Sequence, residues 1–290
     1  METTNQSTTI ANDALRALLF EVSVTPKPGL VDPASQGPHP DMTVFTFIDS
    51  ALSLRTYFEQ CAAAGTAFTG ANLPALFAQL RPIGITAERA MFQATNGVNT
   101  HKGAVFSLGI LVAASAYSER LGLDLETTIK GMLKGLTTND FAHVGDKPEA
   151  DLTAGERLYL RYGITGIRGE AEQGYPTVFG HALPALRQSS GTANQRLLDT
   201  LMAIVANSVD TNLVKRSGGD EHVVAWAHEQ ANAYLAAGGS KTPTGWEKLL
   251  ELNRVFDDRN LSLGGSADLL ILTIFLGLRE GVLTNDSFNF

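Results

Sequence analysis

The stretch Asn96-Gly97-Val98-Asn99-Thr100-His101-Lys102-Gly103 decides how the rest of the chain is interpreted. Helical apolar spacing precedes it over residues 86–95, and a longer apolar segment follows over residues 104–117. Two asparagines and two glycines favour a left-handed turn with exposed backbone N–H groups. The N–H groups that open the second helix would lie beside His101 and Lys102, an arrangement suited to an anion such as a phosphate. The plain alternative is a solvated turn between two helices.

Composition limits the classes of protein to consider. The chain has 290 residues, 44% of them hydrophobic and 18% charged, so it can bury a substantial core. A net charge of −8 argues against a nucleic-acid partner. With Cys61 as its only cysteine the chain has no internal disulfide, which is typical of cytoplasmic proteins, and we interpret Cys61 as a packing residue. No signal peptide is recognised, and the apolar run Leu269–Leu278 is far short of the roughly 20 residues of a membrane span.

The apolar periodicity predicts an all-α fold, a single domain over residues 1–290 with about ten helices and functional loops at the helix ends. Among these we expect one helix over 43–64, a short helix over 73–80 that stops before Pro82, and one over 125–136. Capping-box patterns at Thr153–Glu156 and Thr244–Glu247 predict two helix starts. The sequence has no strand alternation, no dinucleotide-binding glycine fingerprint and no P-loop.

Two irregular segments are rich in residues that can do chemistry. Five prolines exclude a regular helix over residues 21–42, and the apolar residues there predict a stiff, packed loop that carries Lys27, Asp32, Ser35, His39 and Asp41. The glycine-rich segment 163–177 carries Arg168, Glu170 and Glu172. Residues two apart do not share a helix face, so this segment would be extended or turned if both carboxylates act.

The cations in these loops suit phosphate oxygens, although for any one of them a solvated surface charge is the simpler interpretation. Gly264-Gly265-Ser266 resembles an anion-binding nest before a helix. Asp268, one turn later, would repel a bare phosphate unless Mg²⁺ lies between them. His39 and His101 could ligate a metal or donate a proton. We interpret His143, His181, His222 and His228 as structural.

The same stretches resemble the triphosphoribosyl-dephospho-CoA synthase family. The resemblance runs in family order through residues 21–32, 95–103, 168–177, 210–212 and 264–270. One departure is Leu263, where we expect the family to have proline before the two glycines. Without that proline the loop before Gly264 would be less rigid than in the family. The resemblance implies that ATP and 3′-dephospho-CoA give 2′-(5″-triphosphoribosyl)-3′-dephospho-CoA and adenine. An N-glycosidic bond breaks through an oxocarbenium-like state, while the triphosphate stays intact.

Roles follow as hypotheses from this reaction. Lys27, His101, Lys102 and Arg168 would hold the triphosphate, helped by Asn99, Gly264, Gly265 and Ser266. Asp32, Asp41 and Asp268 are candidate Mg²⁺ ligands. Glu170 or Glu172 would take the proton of the ribose 2′-hydroxyl, and His101 is a further catalytic candidate. The sequence does not rank the two glutamates.

Two other functions use the same residues. One is a Mg²⁺-dependent all-α hydrolase of ADP-ribose or nucleotide N-glycosidic bonds, and the other is a nucleotide-binding domain without activity. The product would serve citrate lyase or malonate decarboxylase, and the sequence does not distinguish them. We expect a separate holo-carrier-protein transferase to attach the group. A homodimer is allowed, and the oligomeric state stays open.

Overall fold

The computed structural model describes residues 2–220 and 222–284. Within these ranges the chain forms helices and loops without a β-strand, which confirms the all-α prediction. The helices outnumber the ten predicted: α1 (Glu2–Ser23), α2 (Val44–Ser53), α3 (Arg55–Ala67), α4 (Leu73–Ala94), α5 (Lys102–Leu121), α6 (Leu125–Met132), α7 (Leu136–Phe141), α8 (Ala154–Tyr162), α9 (Gly166–Glu172), α10 (Leu183–Gln188), α11 (Ala193–Val205), α12 (Thr211–Arg216), α13 (His222–Ala236), α14 (Pro243–Asp258) and α15 (Gly264–Arg279).

Helix α5 lies at the centre of the hydrophobic core. Its residues from Ala104 to Ser118 carry no charge, and nearly all of them are buried. The helix packs against α1, α3, α4, α6 and α15. It is long and apolar enough by composition to cross a bilayer, but 78% of that window is buried inside the protein. A helix that is apolar on all sides and covered by other helices is a core helix.

Helix α15 is the second core helix and joins the two halves of the chain. It packs against α1 and α5 on one side and against α10 and α11 on the other. The apolar run Leu269–Leu278 is buried at every position, as the sequence predicts for a core helix. Cys61 on α3 is also fully buried, and burial raises the pKa of its thiol to about 12, in agreement with a packing role.

Residues 96–103, with which the sequence analysis began, form the predicted turn between two helices. Asn96 and Gly97 have φ values of 53° and 88°, in the left-handed region, and α5 begins at Lys102. The expected stop before Pro82 is wrong, because α4 continues through this proline. The exposed proline is tolerated because residues on both sides of it bury one face of the helix: Leu76, Leu80, Ala87 and Met91.

Helix boundaries elsewhere correct the prediction in three places. The helix expected over 43–64 is split at Leu54 into α2 and α3, and the one over 125–136 ends at Met132. The capping box at Thr153 and Glu156 is confirmed at the start of α8. The one expected at Thr244 is wrong, because Thr242 caps α14 by accepting the Gly245 N–H at 3.0 Å. Pro243 takes the first helical position, where its missing N–H has no cost.

The proline-rich loop after α1 is packed, as predicted. At Gly29, with φ 68°, a Cβ would lie 2.5 Å from the ring of Phe256, so only glycine fits. The imidazole of His39 bridges two parts of the chain, with Ser262 Oγ 3.1 Å from Nε2 and Arg216 donating to Nδ1 at 3.2 Å. The loop is thereby fixed beside the beginning of α15.

The packing of α3 on α5 gives a test of the core. A Cβ added to Gly65 would overlap the backbone carbonyl of Ala113, which cannot move aside as a side chain can. We expect Gly65→Ala to lower the free energy of unfolding by about 1–3 kcal/mol. In Gly84→Ala on α4 the nearest atom to the new Cβ is 3.8 Å away, so this control should be neutral or stabilising by up to about 1 kcal/mol. Urea unfolding of both variants measures the difference, and equal stabilities would contradict the close approach.

Candidate active site

A cavity of about 160 Å³ lies where the loop after α1, the turn before α5 and the first turn of α15 meet. We call it the His101 cavity. Of the residues proposed from the sequence it brings together Lys27, Asn99, His101, Lys102, Gly264 and Asp268. These residues are far apart in the sequence, and the fold assembles them at one place.

Lys27 is the buried cation of this cavity. Its side chain is fully buried, and its ammonium group donates to the backbone carbonyl of Glu21 at 2.8 Å and forms a close ion pair with the Glu21 carboxylate. Removing either partner would leave an uncompensated charge in the interior. The pair therefore fixes the position of Lys27, and its positive charge is already largely balanced.

His101 is 1% exposed and lines the same cavity. Its Nδ1 lies 2.7 Å from Ser50 Oγ, and Phe47 packs edge-on against the ring. Its Nε2 is buried and has no hydrogen-bond partner. Burial, with the charge of Lys27 adding to it, lowers the pKa of His101 to about 3. The ring is neutral at physiological pH, and Nε2 is available to a ligand.

Asp268 faces the beginning of α5 across the cavity. Its carboxylate lies so close to Gly103 that a Cβ there would overlap Oδ2. Burial raises the pKa of Asp268 well above its usual range, and the carboxylates of Asp210 and Glu21 raise it further. A hydrogen bond from the N–H of Ala104 lowers this pKa but does not cancel the increase. The helix start that the sequence assigned to a phosphate is therefore occupied by a carboxyl group of the chain.

Lys102 and Asn99 form the exposed rim of the His101 cavity. The ammonium of Lys102 lies 3.1 Å from a carboxylate oxygen of Glu88 and its side chain is 55% exposed. An exposed pair of this kind contributes little stability, so Lys102 can exchange Glu88 for a phosphate at small cost.

A second cavity of about 380 Å³ lies on the other side of the starts of α12 and α15. We call it the Glu170 cavity. Glu170 accepts a hydrogen bond from the Thr177 N–H at 2.8 Å. Burial raises the pKa of Glu170, although the hydrogen bonds from Thr177 oppose this. A partly buried carboxylate with a raised pKa is suited to general base catalysis.

The two candidate bases are separated by the fold. Residues 166–172 form helix α9, so the extended or turned backbone required for both carboxylates to act is absent. Glu172 lines neither cavity; it accepts the Gly135 N–H at 2.8 Å and both the N–H and the hydroxyl of Thr137. Burial raises the pKa of Glu172, but these hydrogen bonds outweigh it and the net shift is downward. Glu172 thus fixes the beginning of α7.

The expected anion nest at the beginning of α15 is filled by Asp210. One oxygen of its buried carboxylate accepts the N–H and the hydroxyl of Ser266, at 2.7 and 2.9 Å. The other oxygen accepts the N–H groups of Asn212 and Leu213 at 2.9 and 3.3 Å. Ser266 thus already hydrogen-bonds Asp210 and lines neither cavity, and its assignment to the triphosphate stays a prediction.

Three further predicted residues lie outside both cavities. Arg168 donates to Asp140 at 2.8 Å and stacks over Phe141. Asp32 accepts the N–H groups of Lys27, Ala34 and Ser35 at 2.7–2.9 Å, so it shapes the loop. Asp41 is exposed.

No group of three or more His, Cys, Asp or Glu residues is placed to hold a metal in the described part of the chain. Asp268 is the one proposed Mg²⁺ ligand that lines a cavity, so the donor set does not fit a metal site made by the protein alone. Asp32 lies in a loop turn, Asp41 at the surface and Asp268 on the wall of the His101 cavity, so these three carboxylates do not converge on one site.

Sequence reasoning gave no role to four residues of these sites, Glu21, Ser50, Asp210 and His181, although residues 21–32 and 210–212 lie in the stretches that carry the family resemblance. The signal for Asp210 was its place as a helix cap before Thr211 and Asn212. His181, interpreted as structural, is exposed and lines the Glu170 cavity. Leu263, at the position where we expect proline in the family, is fully buried just before α15.

Comparisons with known proteins identify relatives along nearly the whole chain. The family model described as ATP:dephospho-CoA triphosphoribosyl transferase matches residues 7–286. The chain is 64% identical over 275 residues to the probable 2-(5″-triphosphoribosyl)-3′-dephosphocoenzyme-A synthase of Lactiplantibacillus plantarum, covering 94% of this chain and 98% of that protein. It is 50% identical over 279 residues to Protein CitXG of Leuconostoc mesenteroides subsp. cremoris, covering 94% of this chain and 60% of that longer protein. No solved structure matches.

The pKa of His101 leads to a prediction about stability. With a folded pKa of about 3 against 6.5, the unfolded state binds the proton more tightly, so stability is lost as the pH falls below 6.5. The slope should reach about 1.4 kcal/mol per pH unit. We expect that His101→Asn removes this contribution to the pH dependence of the free energy of unfolding between pH 6.5 and 5, as measured by urea unfolding. His143→Asn, at an exposed position, is the control; an unchanged slope in the His101 variant would contradict the shift.

Proposed function

The chain belongs to the ATP:dephospho-CoA triphosphoribosyl transferase family, and we propose that it transfers the triphosphoribosyl group of ATP to the 2′-hydroxyl of 3′-dephospho-CoA and releases adenine. The observation that carries the proposal is the His101 cavity, where Lys27, His101 and Lys102 face Asp268. Phosphate-binding donors and a carboxyl group thus lie together in one small cavity.

The triphosphate of ATP binds in this cavity. Lys27 supplies a buried point charge, Nε2 of His101 an unused polar atom, and Lys102 and Asn99 close the rim. ATP arrives as its Mg²⁺ complex, in which the phosphates supply most of the ligands. Asp268 is the one of the three proposed Mg²⁺ ligands that lines this cavity, and we assign no step of the reaction to the metal.

Glu170 is the general base. In the transfer the bond from the anomeric carbon of ATP to adenine breaks, and a bond from the same carbon to the acceptor oxygen forms. The acceptor hydroxyl loses a proton and the leaving adenine takes one up, so the reaction is balanced in protons. The raised pKa of Glu170 brings its proton affinity closer to that needed for such a transfer.

The product is the precursor of the prosthetic group of citrate lyase, with malonate decarboxylase as the alternative. A separate holo-carrier-protein transferase attaches it, the protein is cytoplasmic, and its oligomeric state stays open, with a homodimer allowed. These statements rest on the family resemblance.

The first test is adenine release, followed by chromatography, from ATP and Mg²⁺ with and without 3′-dephospho-CoA. We expect adenine only when both substrates are present, together with a product heavier by a triphosphoribosyl group. Equal release without the acceptor would instead identify a hydrolase. Bound ATP with no adenine would identify a nucleotide-binding protein.

The two glutamates of α9 provide a matched pair for the catalytic step. Glu170→Gln should lower kcat by about 10²–10⁴-fold, because the neutral amide cannot accept the proton. Glu172→Gln should keep kcat within about threefold of the parent, yet lose about 1–3 kcal/mol of stability, since its hydrogen bonds to Gly135 and Thr137 depend on the charge. Steady-state kinetics and thermal unfolding separate the two effects. The reverse pattern would remove Glu170 from its role.

A further inference from the structure

The two cavities differ in charge. Lys27 and Lys102 line the His101 cavity, whereas neither lysine nor arginine is among the described residues that line the Glu170 cavity. The Glu170 cavity is also more than twice as large, at about 380 against 160 Å³. Phosphates need cationic or N–H partners when they leave water, so the larger cavity is poorly suited to a polyphosphate.

The walls of the Glu170 cavity suit an uncharged nucleoside. Ile164, Ile167, Pro176, Val209 and Leu269 give it apolar surface. Asn207 and Gln173 add side-chain amides at its edge. Apolar walls with a few amide groups are the usual environment of a purine and its ribose in protein sites.

The cavities share one wall, formed by the starts of α12 and α15. Gly264 and Asp268 line the His101 cavity, while Gly265 and Leu269 line the Glu170 cavity. Glu170 lines the same cavity as Asp210, Gly265 and Leu269, which belong to or adjoin these helix starts. The candidate base and the shared wall therefore border one space.

From this geometry we propose that the Glu170 cavity is the acceptor subsite and binds the adenosine part of 3′-dephospho-CoA, with its ribose 2′-hydroxyl toward Glu170. The proposal rests on the proposed function. The pyrophosphate and pantetheine arm extend from the open mouth into solvent. ATP is held by its triphosphate in the His101 cavity, and its ribose reaches past the edge of the shared wall so that the anomeric carbon meets the acceptor 2′-hydroxyl.

Blocking the cavity tests this assignment. Val209 is 52% exposed on its wall, so Val209→Trp can narrow the mouth without disturbing the core. Gln173→Trp does the same from the end of α9, at another exposed position. The matched control is Leu250→Trp on α14, which is 42% exposed and lines neither cavity.

Each blocking variant should raise the KM for 3′-dephospho-CoA by about tenfold or more and leave the KM for ATP within about twofold, while the control changes neither. Calorimetric titration of 3′-dephospho-CoA without ATP should show the same weakening. A raised KM for ATP, or unchanged constants in both blocking variants, would overturn the acceptor assignment.

Failure of the proposed function gives a different result. If the parent protein releases no adenine but binds 3′-dephospho-CoA, and Val209→Trp and Gln173→Trp weaken that binding, the subsite stands and the transfer reaction fails. If the parent protein does not bind 3′-dephospho-CoA, the subsite is overturned whatever its activity toward ATP.

Discussion

The carboxylate of Asp210 holds together the helix starts on which both cavities depend. It accepts hydrogen bonds from Asn212 and Leu213 at the beginning of α12 and from the N–H and hydroxyl of Ser266 at the beginning of α15. Hydrogen bonds to a charged group typically contribute about 1.5–3 kcal/mol each, and here they offset the burial that raises the pKa of Asp210. With α12 and α15 fixed in this way, the shared wall of the two cavities is fixed as well.

Electrostatics explain why a small cavity with two lysines does not carry a large positive charge. Lys27 is paired with Glu21, Lys102 with Glu88, and the carboxylate of Asp268 lies against Gly103 at the beginning of α5. A triphosphate brings several negative charges into this balanced environment. A neighbouring anion raises the pKa of a histidine. Under the proposed function, a bound triphosphate would therefore act against the burial and the Lys27 charge that lower the pKa of His101.

The sequence predicts local structure well where one short-range cause dominates. Two residues of left-handed preference, Asn96 and Gly97, determine the turn before α5, and the uncharged run after Lys102 determines a buried helix. Prediction from the sequence fails where tertiary contacts determine the local structure or the role of a residue. Pro82 does not end α4, because burial of one face on both sides of it outweighs the lost hydrogen bond. Glu170 and Glu172 have the same local surroundings, and only the position of α7 assigns one of them to a structural role.

The glycines before Asp268 illustrate why a motif can be recognised correctly and explained wrongly. A Cβ on Gly264 would lie 2.8 Å from the side-chain nitrogen of Asn212, and one on Gly265 would lie 2.9 Å from a carboxylate oxygen of Asp210. Glycine is thus required for close packing of α15 on α12, and the helix start already has its anion. A phosphate nest and a carboxylate nest have the same sequence pattern, since both need bare backbone at a helix start. In this protein the anion at the start of α15 is the carboxylate of Asp210, so here the pattern marks a contact between two helix starts of the chain itself.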